Sequence, residues 1–245
     1  LTATQVKAMT TSQLEKLSTA QFSAITASDL VSLNATQIAS LTTSQVAGMT
    51  TAQVAALTKD EVAGFTTAQV RALTTSQVQA LTTAALVSFT NTQIGAFDTT
   101  QVSKLTTTQA SALSGTQVAV LSSSQLNAMT TSQVSALTAT QVKALTTSQV
   151  NALGTTQLAA LTTGQVSNMD AVDVAALTST QANAMTTSQV QALTASQVKL
   201  LSTATVAGLS TTQVTALTTD QLTALSTEQV NSLSSAAVSK LSTAQ

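Results

Sequence analysis

The sequence predicts an all-α fold, a superhelical solenoid of very short capped helices with one helix for each eight-residue repeat. Three observations carry this. From Leu1 to Leu241 every eighth residue is Leu, Met, Ile or Phe, the residue after it is always Thr, Ser, Asn, Asp or Gly, and three residues further on stands Gln in twenty-five of thirty-one octads. A fixed short period over a whole chain marks a repeat architecture in which each unit meets mainly its neighbours.

The first octad position, as in Leu41, Met49 and Leu73, supplies an apolar side chain just before a helix start. Position two (Thr42, Thr50, Thr74) is a helix N-cap, and its exceptions Asn34, Asp98, Asp170 and Gly154 are all residues that cap well. Position five (Gln45, Gln53, Gln77) completes the Thr/Ser-x-x-Gln capping box. Position six (Val46, Val54, Val78) lies four residues inside the helix, where it forms a hydrophobic staple with position one. These signals together give one helix of about six residues, roughly 9 Å long.

Position seven holds Lys7, Glu15, Arg71, Gln79, Lys143 and Asn151 as readily as Ala, so it is expected to face solvent. Position eight is mostly Ala, Gly or Ser and lets adjacent backbones approach. Lys16, Lys104 and Lys240 depart from this, with stems long enough to lie along the surface. Other departures come singly: Ala85, Thr205 and Ala237 lose the Gln, and Ala110 and Ala182 shrink the position-six anchor. The extended cap residue between two helices is the corner that winds the chain, and two to four octads per coil satisfy the sterics.

A single continuous helix is excluded, because eight residues advance its apolar positions by roughly 80° per octad and never form a stripe. A β-solenoid is the alternative, since Thr and Val favour strands. Against it, tight corners of such coils call for Gly, Asn or Asp, and this chain has seven Gly and no Pro. A six-residue helix is unstable alone, so each unit must draw stability from its neighbours.

The periodicity runs through 1–245 as one array of about thirty repeats, with neither linkers nor distinct capping repeats. A 43% hydrophobic, 7% charged composition is not that of a disordered polyelectrolyte, and a net charge of −1 offers no field for nucleic acid or anionic membrane. No apolar run reaches the length of a membrane span. The start at Leu rather than Met suggests a processed chain or a segment of a longer one.

With no His, Cys or Tyr, the usual acid–base and nucleophile pairs are missing. No catalytic, cofactor or metal residue is expected, and no small-molecule substrate. The nearest carboxylates, Asp60 with Glu61 and Asp170 with Asp173, fall at helix starts, where capping and the helix dipole account for them better than catalysis or calcium binding.

Octads such as LTTSQVAG from Leu41 and LTTSQVQA from Leu73 resemble the long arrays in large secreted or surface proteins of proteobacteria, described as adhesin- or haemagglutinin-like. The resemblance implies an extracellular structural segment and carries no functional residues. The expected function is therefore a non-catalytic structural repeat protein, an extracellular stalk or a filament subunit that self-associates through its solenoid ends. Two alternatives belong to other classes: an ice-binding module presenting ranks of Thr, and a scaffold that binds a protein along its position-seven face.

Overall fold

A computed structural model of the chain describes residues 2–245. Among them thirty helices of four to six residues follow one another, from α1 (Ala3–Ala8) to α30 (Ser235–Val238), and there is no strand. The chain is a helical repeat solenoid, and the β-solenoid alternative falls away.

Consecutive helices are joined by a two-residue corner, preceded in places by one more residue in the helical region, such as Gly48 at φ −86°, ψ −2°. Leu41 ends α5 (Ala35–Ser40) at φ −62°, ψ 141°, and Thr42 opens α6 (Thr43–Ala47) at φ −70°, ψ 155°. No described residue has a positive φ. The corner is thus built from backbone conformations open to any L-residue, so it does not require glycine, and Gly154, the one glycine at an N-cap, takes the same shape as the others at φ −63°, ψ 149°.

Within a compact unit a helix packs against the one three places along, so a coil contains three octads. The chain clusters into two compact units, one ending at Leu121 and the other beginning at Ser122. In the first, α3 (Thr19–Ser23) packs on α6, α6 on α9 (Thr67–Ala72), and α9 on α12 (Asn91–Gly95). In the second, α16 (Ser123–Ala128) packs on α19 (Thr147–Asn151), α19 on α22 (Ala171–Ala175), α22 on α25 (Ala195–Leu200), and α25 on α28 (Thr219–Ala224).

Positions one and six make the core of both units. Val46, Val54 and Val78 are fully buried, and Leu41, Met49 and Leu73 nearly so. Burying such a side chain contributes roughly 1.5–3 kcal/mol, whereas one isolated helical turn is unfavourable, so stacking stabilises the helices rather than the reverse. Phe65 and Phe89, three octads apart, meet at 6.1 Å in successive coils, and Phe97 sits edge-on to Phe89 at 5.9 Å.

The stack has a direction. Position six points toward the following coil: in the first unit Val6, Leu14 and Phe22 of its first coil are fully buried, and in the second unit Val230 and Val238 of its last coil are 44% exposed. Position eight sits against the preceding coil. A Cβ at Gly64 would lie 2.5 Å from the Ala35 carbonyl oxygen, and one at Gly208 would lie 2.7 Å from that of Ser179. This close approach explains the preference for small residues at the end of the octad.

Candidate functional site

Among the described residues of each unit, no backbone–backbone hydrogen bond joins one coil to the next. Within each unit the backbone–backbone hydrogen bonds outside the helices join residues no more than four apart, as do the helical bonds themselves. Every helix also leaves orphan N–H groups at its start and orphan carbonyls at its end. At this period those ends recur every eight residues, inside a stack where unpaired polar groups cost roughly 1–3 kcal/mol each.

The position-five glutamine meets both needs. In α9 the Gln69 Oε1 accepts from the Thr66 backbone N–H at 2.7 Å, and the Gln69 N–H donates to Thr66 Oγ1 at 3.2 Å, the reciprocal capping box. Gln69 Nε2 then donates backward to Ile38 O at 2.7 Å, Leu41 O at 2.7 Å and, more weakly, Ala39 O at 3.3 Å. Ile38 lies in the last turn of α5 and Leu41 is its C-cap. One buried amide therefore ties the N-terminus of its own helix to the C-terminus of the helix four places earlier.

The same geometry surrounds the residues that the sequence singles out. Thr42 and Gln45 cap each other at 2.8 and 3.1 Å, while Gln45 Nε2 donates to Leu14 O at 2.7 Å and Leu17 O at 2.8 Å. Thr50 pairs with Gln53, whose amide reaches Phe22 O and Ile25 O. Thr74 pairs with Gln77, whose amide reaches Val46 O and Met49 O. In the second unit Gln165 binds Val134 O and Leu137 O, and Gln221 binds Val190 O and Leu193 O. The result is a ladder of side-chain amides in which each rung spans 28 to 31 residues.

The chemistry of the rung selects the residue. A capping box needs only an acceptor at its third helical position, and Glu serves as well as Gln. The rung needs an acceptor and a donor on one side chain, and a carboxylate is acceptor-only. That accounts for twenty-five Gln against a single Glu at position five. Glu61 keeps the cap alone, with its Oε2 accepting from Thr58 N–H at 2.9 Å and from Thr58 Oγ1 at 2.6 Å.

The other exceptions modify or drop the rung. Asp173 reverses its polarity, accepting from the Thr147 hydroxyl of the neighbouring coil at 2.6 Å. Thr205 retains one bond through its hydroxyl, to Leu177 O at 2.6 Å. Ala85 and Ala237 supply no side-chain donor, and both are buried. Asp170 caps α22 without a side-chain hydrogen bond and lies 3.8 Å from Lys143 Nζ. Asp60 and Glu61 occupy the first turn of α8 (Lys59–Ala63), in the other unit from Asp170 and Asp173.

Position seven departs from the expectation that it merely faces solvent. Asn127, Asn151 and Asn183 are exposed, yet each donates through Nδ2 to a position-eight carbonyl of the next coil, Ala152 O at 2.9 Å, Ala176 O at 2.8 Å and Gly208 O at 3.2 Å. Arg71 Nε reaches Ala96 O at 3.3 Å in the same way. Where Gly154 offers no capping side chain, Asn127 Oδ1 accepts the Gly154 N–H at 2.7 Å.

No group of three or more His, Cys, Asp or Glu gathers into a possible metal site among the described residues, and no helix there is long and apolar enough to cross a membrane. No curated protein matches the chain. Three stretches, residues 22–59, 140–171 and 196–227, match the family model described as the ALTTAQ repeat, and they mark the chain as a repeat protein.

Proposed function

We propose that this chain is a non-catalytic structural element, a stalk-like spacer outside the cell whose coils set a distance between whatever is joined to its two sides. The observation that carries this reading is the glutamine ladder itself: the recurrent buried polar side chain of the octad is consumed in holding coil to coil. Gln69, Gln77 and Gln101 each bind both a cap N–H and the carbonyls of an earlier helix. The octads share one pattern and add length without adding chemistry, as a spacer requires. Low charge and abundant Thr, Ser and Gln suit an exposed surface outside the cell.

The test is length. Deleting three consecutive octads from one unit should shorten the particle by one coil in small-angle scattering and leave helix content per residue unchanged. Loss of fold on such a deletion would argue for a unique globular body instead. Antibody labelling of intact, unpermeabilised source cells tests the location.

A second reading, stacking between copies, is favoured by one contrast. Gln5, Gln13 and Gln21 are exposed, whereas Gln45, Gln53 and Gln69 are buried against an earlier coil. The first coil thus presents the donor half of the inter-coil pattern, and Val230 and Val238 mark the opposite, apolar half in the last. Further octads of a longer chain or the coils of a second copy would meet the same pattern. Sedimentation velocity across a concentration series separates the two: mass growing with concentration supports stacking, and a constant monomer mass removes it.

A further inference from the structure

We propose that each unit is an extensible element, one that lengthens under tension by shedding octads one after another rather than by opening all at once. The inference rests on the spacer reading and adds a mechanical property to it. Coils are joined by side-chain rungs and by the apolar layer of positions one and six, while the backbone bonds stay within four residues. Parting one coil from the next therefore breaks no backbone ladder, in contrast to a β-solenoid, whose coils share one.

An octad that leaves the stack cannot keep its helix, because four to six residues are too few to sustain one in water. Freed, it changes from a helix of roughly 9 Å to a segment that can extend to about 28 Å. Each event is small and nearly identical to the next, and its neighbours retain their own contacts. The reverse step needs only local hydrogen bonds and a rung to a residue about 30 positions away, so rewinding is fast. No cysteine is present to lock coils together by a disulfide.

The rung pattern says where opening is easiest. Ala85 in the first unit and Ala237 in the second leave a rung unmade, and Thr205 makes a single bond where Gln69 makes three. Tension should find these seams before the unbroken runs from Gln93 to Gln117 and from Gln181 to Gln197.

The experiment is optical-trap extension of the full 245-residue chain held by handles at its two termini, together with the variants Ala85→Gln and Ala237→Gln, which add a rung. The expected trace lengthens in many small steps, each a small multiple of the contour of eight residues, and shortens again on relaxation with little lag. Each variant should raise the force at which its own part of the chain opens. One or two abrupt events that each release a whole unit would overturn the proposal, as would stepwise opening at forces unchanged in both variants. The spacer reading is judged separately, by the scattering of the three-octad deletion, which does not depend on how the units open.

Discussion

The side-chain amide of Gln69 donates to the carbonyl oxygen of Ile38 at 2.7 Å, across 31 residues of sequence and with both residues buried. Its own oxygen accepts from the Thr66 N–H at 2.7 Å, so one side chain serves the cap and the rung together. Repeated through each unit, this relationship turns a local helix cap into the long-range fastening of the fold.

Replacing Gln69 by Glu separates the two roles. Glu keeps the acceptor for Thr66 N–H and sets an oxygen against the carbonyls of Ile38 and Leu41. At neutral pH Gln69→Glu should destabilise by about 2–4 kcal/mol, combining a lost bond with uncompensated buried acceptors. Gln69→Ala should cost less, because it removes the rung without adding charge. Urea unfolding midpoints compare the three proteins.

Restoring a rung should stabilise. Ala85 is buried at a position where the ladder's spacing aims a Gln amide at Val54 O and Leu57 O. Ala85→Gln is expected to add about 1 kcal/mol, the net worth of a typical hydrogen bond. A thermal midpoint that rises by a few degrees is the readout.

The caps contribute individually. Thr42→Ala removes the acceptor of the Gln45 N–H, held at 3.1 Å, and should lower stability by about 1 kcal/mol, while Thr42→Ser should be nearly neutral. Chemical denaturation of the two variants gives the difference directly.

Close approach between coils sets a steric limit. At Gly64 an added Cβ would meet backbone of Ala35 rather than a movable side chain, so Gly64→Val should destabilise by about 1–3 kcal/mol. Gly164 has no neighbour nearer than 4.0 Å to an added Cβ, and Gly164→Ala should be tolerated. The same unfolding assay applies to both.

Acid sensitivity has a small contribution from Glu228. Its own backbone N–H and then the Ser226 hydroxyl hold its exposed carboxyl below the ordinary glutamate value. A depressed folded-state pKa stabilises above the unfolded value, and that stabilisation is lost as pH falls through the folded one. The stability difference between the natural chain and Glu228→Gln should therefore shrink on acidification below the usual glutamate range, as read from unfolding midpoints at several pH values.

Much of the fold is legible in the octad. Thr42 and Gln45 announce a capping box, Leu41 and Val46 a staple, and their repetition excludes a long helix and weighs against a strand-based coil, which only the structure removes. The number of octads per coil is not written in the same way, because it depends on the angle that Leu41 and Thr42 give the corner and on how close Gly64 can come to Ala35. The rung is half legible. The capping box uses only the oxygen of the Gln45 side chain, and the preference for Gln over Glu at position five is the trace left by its nitrogen. Asn127 and Asn151 gave less warning, since position seven also accepts Ala, Lys and Glu, and only the neighbouring coil shows what an amide does there.

The central claim is that glutamine side chains, not backbone, fasten coil to coil, and side-chain amide hydrogen exchange measured by NMR tests it most directly. The Nε2 hydrogens of Gln69, Gln77 and Gln101 should exchange far more slowly than those of Gln5, Gln13 and Gln21, which are exposed on the first coil. Equal, rapid exchange at all six would contradict the ladder.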